Sequence, residues 1–166
     1  MTRQVSSQEQ LLPDGEANQL KELSAKAVFL NRDHVELKLR LLGEKIISAE
    51  IKAIACPECL TEIKNFKLNL RTHQNDFSKL PLPEGSHHSA MLVREVLLRL
   101  RGEWEFPYKE EELCHCRNVA TSKVDAAIMA GTFNVSEIGE KTMAGTACGT
   151  CRPVTQMIID YRLNEP

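Results

Sequence analysis

The sequence lacks most of the features that would assign it to a common functional class. Lysine plus arginine (21) and aspartate plus glutamate (23) nearly cancel over 166 residues, so no excess positive charge points to DNA, RNA or an anionic membrane surface as partner. No apolar run approaches the roughly 20 residues that a membrane helix requires. The longest, from Ala90 to Leu100, is interrupted by Arg94, Glu95 and Arg99. The stretch from Met1 to Glu16 has no apolar core of a secretory signal, and Glu9, Asp14 and Glu16 do not suit a transit peptide, so a cytoplasmic protein is expected. No nucleophile-base-acid set, phosphate-cradling glycine loop or pair of catalytic carboxylates stands out, so no catalytic residue is assigned. The single tryptophan, Trp104, and isolated acids such as Asp125 and Glu137 fit packing and capping roles.

What the sequence does contain is paired cysteine. The six fall at 56/59, 114/116 and 148/151. An even count could mean three disulfides, but the chain shows no export signal and has apolar segments sufficient for a core without crosslinks. Metal or cluster ligation explains the tight pairs better. A chain of this length forms one compact domain or two small ones, and the distribution of the pairs favours two.

Periodicity outlines the elements. Residues 1–15 are polar, end in Pro13-Asp14-Gly15 and read as a flexible leader. From Glu16, the positions Ala17, Leu20, Leu23, Ala27 and Leu30 recur at helical spacing and predict an amphipathic helix ending near Asn31. Val35, Leu37, Leu39 and Leu41 alternate with Glu36, Lys38 and Arg40, and after Gly43 Ile47, Ala49, Ile51, Ala53 and Ala55 alternate with Ser48, Glu50, Lys52 and Ile54, which predicts a hairpin. Pro57 starts a segment that fits a helix through Ile63 and Leu70, with a strand through Phe66, Leu68 and Leu70 as the competing reading. After a loop at Leu80–Gly85, Ala90–Arg101 reads as a helix capped by Gly102. The acidic, Pro107-containing segment 104–112 reads as a linker. Beyond it, Thr121 or Ser122 caps a helix to about Ala130, Asn134 caps a short one with Glu137 in the reciprocal position, and Pro153 begins a third. The expected fold is α+β: a front domain over 16–103, of helices with a small antiparallel sheet, and a small all-helical domain over 113–166. Three helices bury little core, so a bound metal centre would contribute much of that domain's stability.

Cys114-His115-Cys116 and Cys148-Gly149-Thr150-Cys151 are separated by 31 residues. Two thiolate pairs on converging loops suit a two-iron cluster, each iron taking two protein sulfurs besides the bridging sulfides. A four-thiolate zinc site is the competing reading. Gly145 and Gly149 allow a tight loop whose free N–H groups can bond to cluster sulfur. His115 reads as an exposed side chain between two ligands. In the first half, Cys56 and Cys59 with His87-His88, and Asp33 as an oxygen donor, could complete a tetrahedral site; equally, they could be buried thiols and surface histidines.

The runs Leu113-Cys-His-Cys-Arg-Asn-Val119, Ala126-Ala-Ile-Met-Ala-Gly131 and Thr142-Met-Ala-Gly-Thr-Ala-Cys-Gly-Thr-Cys-Arg-Pro153 resemble the [2Fe-2S] domain of the bacterioferritin-associated ferredoxin family. That domain also occurs in nitrite reductases and at the centre of NifU-type scaffold proteins. The resemblance implies a [2Fe-2S] cluster on Cys114, Cys116, Cys148 and Cys151 rather than zinc. Asn31-Arg32-Asp33 before the Val35 strand, Ala55-Cys56-Pro57 after the second strand and His87-His88-Ser89 before the closing helix resemble a divergent IscU-like scaffold domain. That family has three cysteines and an aspartate where this sequence has Asn31, Cys56, His88 and Asp33, with Cys59 as an additional thiol. Two of three thiolates are therefore replaced, which implies a labile zinc or iron site rather than a full assembly site, since amide and imidazole groups cannot accept persulfide sulfur. The sequence reaches Pro166 soon after the last cluster helix, so the third, cysteine-bearing domain of NifU-type proteins is not expected.

Together the two resemblances imply an accessory protein of iron-sulfur cluster assembly or transfer. Its implied partners are a cysteine desulfurase, apo iron-sulfur proteins or a redox partner, with neither nucleic acid nor membrane involved and a homodimer among the allowed states. A ferredoxin-like electron carrier for a reductase or iron-storage partner is the second reading. A structural or iron- or redox-sensing metalloprotein is the third.

Overall fold

A computed structural model describes residues 20–73 and 75–163. The expected leader and Ala17 lie outside the described residues. Three strands, β1 (Leu20–Phe29), β2 (Asp33–Leu42) and β3 (Lys45–Ile54), form an antiparallel meander in that order. On β2 the alternation is complete: Val35, Leu37, Leu39 and Leu41 are all buried, and Lys38 and Arg40 face out. Burial of each such side chain contributes about 1.5–3 kcal/mol.

The first element is a strand and not the expected helix. Leu23 and Ala27 are four residues apart, and such positions share a face in a helix and in a strand alike, so they could not distinguish the two. Ala25 and Phe29 do: they also pack against the core, and Leu23, Ala25 and Ala27 lie opposite Leu39, Leu37 and Val35. Leu20 and Leu30, the outer members of the helical pattern, are exposed. The β2–β3 hairpin forms with an irregularity between Arg40 and Leu41. That offset turns Ile46 inward and leaves Ile47, expected to face the core, exposed.

Helix α1 (Pro57–Thr72) buries Cys59, Ile63, Phe66 and Leu70, a 4-3-4 spacing, so the helical reading of this segment holds. After a short 3-10 turn at Phe77–Lys79, α2 (His88–Arg101) is buried around most of its circumference and ends at Gly102, whose φ of 73° provides the left-handed cap. It packs against the sheet and α1, and reaches the C-terminal part through Arg94 and Glu95.

The sequence predicts an all-helical C-terminal part, and the structure overturns this. Strands β4 (Glu112–Cys114) and β5 (Val119–Ala120) form a hairpin, and three and two residues are too few for a period to show in sequence. Helices α3 (Thr121–Met129), α4 (Val135–Thr142) and α5 (Arg152–Leu163) follow. Asn134 caps α4 as expected, accepting from the Ser136 and Glu137 N–H groups. Thr121 and Ser122 do not cap α3: Thr121 Oγ1 donates instead to the Glu110 carbonyl at 2.7 Å. A second core of Leu113, Val119, Val124, Ile128, Ile138 and Ile158 fills this part. Asp125 is neither a packing nor a capping residue. It accepts Nε and Nη2 of buried Arg162 at 2.7 and 2.6 Å, and Nη1 of Arg162 reaches Glu95 on α2 at 2.8 Å. Trp104 packs on Tyr161 with centroids 5.3 Å apart, under the guanidinium of Arg162. No helix among the described residues is long and apolar enough to cross a membrane.

Candidate metal centres

The first set is assembled where a turn and two helix starts meet. Leu30 and Asn31 both adopt left-handed backbone (φ 50° and 55°), and the Arg32 N–H donates to the Phe29 carbonyl. Few non-glycine residues do this, and the tight reversal brings Asp33 to the head of β2. Cys56 is the N-cap of α1, its sulfur accepting the Cys59 N–H. His88 is the first residue of α2. Ligand atoms of Asp33, Cys56, Cys59 and His88 all lie within 4.8 Å of one another. Asn31, in the turn before Asp33, is exposed.

Each contact in this set is close. The two sulfurs are 3.1 Å apart, and His88 Nε2 lies 3.0 Å from Cys59 Sγ, 3.6 Å from Cys56 Sγ and 2.8 Å from Asp33 Oδ2. One imidazole nitrogen cannot donate well to three acceptors, whereas a central cation satisfies all four groups. Zn–S bonds of about 2.3 Å place tetrahedral sulfurs about 3.8 Å apart, so a metal needs only a small expansion of the set. Cys59 is fully buried. Burial, then hydrogen bonding to Cys56 and the neighbouring charges of Cys56 and Asp33, push its thiol up to about 12. Without a cation this thiol keeps its proton. Sulfur, imidazole and carboxylate together suit zinc or ferrous iron.

Beside this set lie His87, already a candidate in the sequence, and Glu58, which a reading of the sequence misses. Cys56 also belongs to a second group with exposed Glu58 and His87, whose ligand atoms again lie within 4.8 Å of one another. The sequence signal of Glu58 is only its adjacency to ligands, and it becomes meaningful once the starts of α1 and α2 converge.

The second set lies in the C-terminal part. Cys114 ends β4, Cys116 sits in the hairpin turn, Cys148 lies in the loop after α4, and Cys151 directly precedes α5. Cys116 Sγ is 3.7 Å from Cys114 Sγ and 3.5 Å from Cys148 Sγ, and Cys151 belongs with Cys114 to the same buried core. Cys114 and Cys151 are buried while Cys116 and Cys148 are exposed. His115 between them is exposed, 3.4 and 3.3 Å from the carboxylates of Glu110 and Glu112.

The surrounding backbone supplies positive ends of N–H dipoles. The Arg117 N–H donates to the Cys114 carbonyl at 3.2 Å; against the effect of burial, the nearby Gly145 N–H helps hold the Cys114 thiol below its usual value, and the side chain and N–H of Thr150 do the same for Cys148. The Thr150 contacts bring Cys148 down to about 7, whereas burial pushes Cys151 up to about 11. Gly145 has φ 71°, and a Cβ there would lie 2.9 Å from Arg152 Cγ. Arg152 Nε donates to the Gly145 carbonyl at 2.9 Å and fixes the loop. Four converging thiols with N–H donors aimed at sulfur fit an anionic cluster held by thiolates.

Comparison with known proteins agrees with this chemistry. Residues 113–161 match the model of the BFD-like [2Fe-2S] binding domain family, and this part of the chain is such a domain. Over 54 residues the chain is 30% identical to the nitrite reductase [NAD(P)H] large subunit of Klebsiella oxytoca, an alignment that covers 32% of this chain and 6% of that protein. The chain thus spans a small fraction of that relative's length. No solved structure matches the chain.

Proposed function

We propose that the protein is an accessory factor of iron-sulfur cluster assembly or transfer, carrying a resident [2Fe-2S] cluster on Cys114, Cys116, Cys148 and Cys151 and an exchangeable zinc or ferrous ion on Asp33, Cys56, Cys59 and His88. The observation that carries this reading is the presence of two ligand sets of different chemistry on one chain. The front set follows the layout that a divergent IscU-like domain implies, with Asp33 after the β1–β2 turn, Cys56 at the start of α1 and His88 at the start of α2. Its mixed donors hold a single ion and lack the thiolates from which stable clusters are built.

The chain's own residues divide the work. Cys114 and Cys151 hold the buried side of the rear centre, while Cys116 and Cys148 present its other side to solvent. When bound, the cluster supplies one-electron storage. In this reading the protein is a carrier rather than a catalyst, and its partners are a cysteine desulfurase and apo iron-sulfur proteins. The test begins with an anaerobic preparation assayed for iron, sulfide and zinc. About two irons and two sulfides per chain are expected at the rear centre, with a separate exchangeable ion at the front. Stoichiometric zinc without labile sulfide or visible absorption would overturn the cluster assignment. Loaded protein is then mixed with an apo-acceptor.

One observation favours a second reading, a ferredoxin-like electron carrier: the exposed Cys116–Cys148 edge leaves the rear centre open to a docked redox protein. Rapid electron delivery to a reductase, with no iron or sulfide passing to an apo-acceptor, would select it.

A further inference from the structure

The front set has an access problem. Cys59 is fully buried and Asp33 is 7% exposed, and a bare divalent ion cannot shed its water into such a site without other ligands replacing that water. Among the described residues, Glu58 and His87 are the exposed ligand-bearing side chains grouped with one of the inner ligands. The link is Cys56, half-buried, whose sulfur belongs to both groups. The Glu58 carboxylate and the Cys56 sulfur lie within 4.8 Å of each other. The His87 ring lies 4.1 Å from the His88 ring, so the outer and inner imidazoles are direct neighbours.

We propose that Cys56, Glu58 and His87 form a landing site for a divalent cation, from which the ion passes to Asp33, Cys59 and His88 while Cys56 holds it throughout. The proposal rests on the reading of the inner set as a metal site. Charge gives the transfer its direction. The landing site offers one sulfur, one carboxylate and one imidazole, whereas the inner set adds a second sulfur in exchange for no loss of carboxylate. As Cys59 binds, its proton leaves to solvent, and His87 and Glu58 are released to receive the next ion. Because a station on the path is crossed in both directions, it speeds loading and release equally and leaves the equilibrium unchanged.

The test uses the full chain with its rear cluster loaded, so that the four C-terminal thiolates are occupied, and Zn2+ alone as the probe. Zinc uptake and its withdrawal by a chromogenic chelator are followed by stopped flow. Glu58→Gln combined with His87→Asn is expected to slow both rates about tenfold, the low end of what electrostatic capture adds to association, with the affinity unaltered. His87→Asn alone, which keeps a side chain able to cap α2 and removes no carboxylate, is expected to slow both rates as well, which separates ligation from charge steering. Unchanged rates would overturn the proposal, as would weakened affinity with faster release, which would make these residues ligands of the resting site. If the unaltered protein takes up no zinc, or Cys59→Ser leaves its affinity intact, the inner reading fails and the proposal with it. That failure is visible before the outer variants are compared.

Discussion

The front ligand set hangs on the ends of long elements, and the rear set on short turns. Asp33, Cys56, Cys59 and His88 come from the head of β2 and the starts of α1 and α2, each element anchored along its length in the larger core. Cys114, Cys116, Cys148 and Cys151 come from a minimal hairpin and a glycine loop, over a core of ten buried residues. The difference shows where stability and metal are coupled. The larger front core is expected to hold its fold when the ion proposed for its ligand set is removed. The rear domain has so little apolar area that its centre is part of its fold.

The sharpest way to break this comparison is to remove one rear ligand. Cys114→Ala is expected to abolish the cluster's visible absorption and the cooperative melting of the C-terminal part, while zinc bound per chain at the front is unchanged. A fully loaded, equally stable variant would contradict the coupling. Next in size is the ion network between the two parts. Arg162→Met leaves Asp125 without its cation and Glu95 with Arg99 alone, and breaking such a buried pair costs about 3–5 kcal/mol; urea unfolding of the holoprotein measures it.

Gly145→Ala sharpens the rear side of the comparison. The left-handed backbone and the 2.9 Å approach to Arg152 Cγ are expected to cost about 1–3 kcal/mol and to lower the iron retained after gel filtration, with front-site zinc unaffected.

The smallest effect concerns pH. The Cys59 thiol is pushed up to about 12, so below that value the metal-free front set carries its proton and metal binding must displace it. Zinc affinity at the front is therefore expected to rise with pH, by about tenfold per unit for each proton released. Chelator competition between pH 6 and 8 checks this, and an affinity independent of pH would show that Cys59 is no ligand.

How much of this was legible in the sequence depended on distance and on period. The β2–β3 hairpin, α1, α2 and the Gly102 cap could be read because their patterns run for many residues. Strand β1 was misread because Leu23 and Ala27 fit both periods. The β4–β5 hairpin was missed because it is too short to have a period. The cysteine pairs announced ligands through their spacing alone. Glu58 did not, since it meets His87 and Cys56 only where the starts of α1 and α2 converge. The Glu95–Arg162 pair spans 67 residues, and nothing local to either residue announces the other.

That same pair determines how the molecule can be dissected. Arg94 Nη1 donates to the Arg162 carbonyl at 2.6 Å, and Arg162 returns the bond through Glu95, so each half of the chain supplies the counterpart of a buried group in the other. A cut within 104–112 would leave Glu95 with Arg99 alone and Arg162 with Asp125 alone. Neither fragment would be a faithful version of its half. A chimera that borrows either part from another protein must import the partner of the clasp with it.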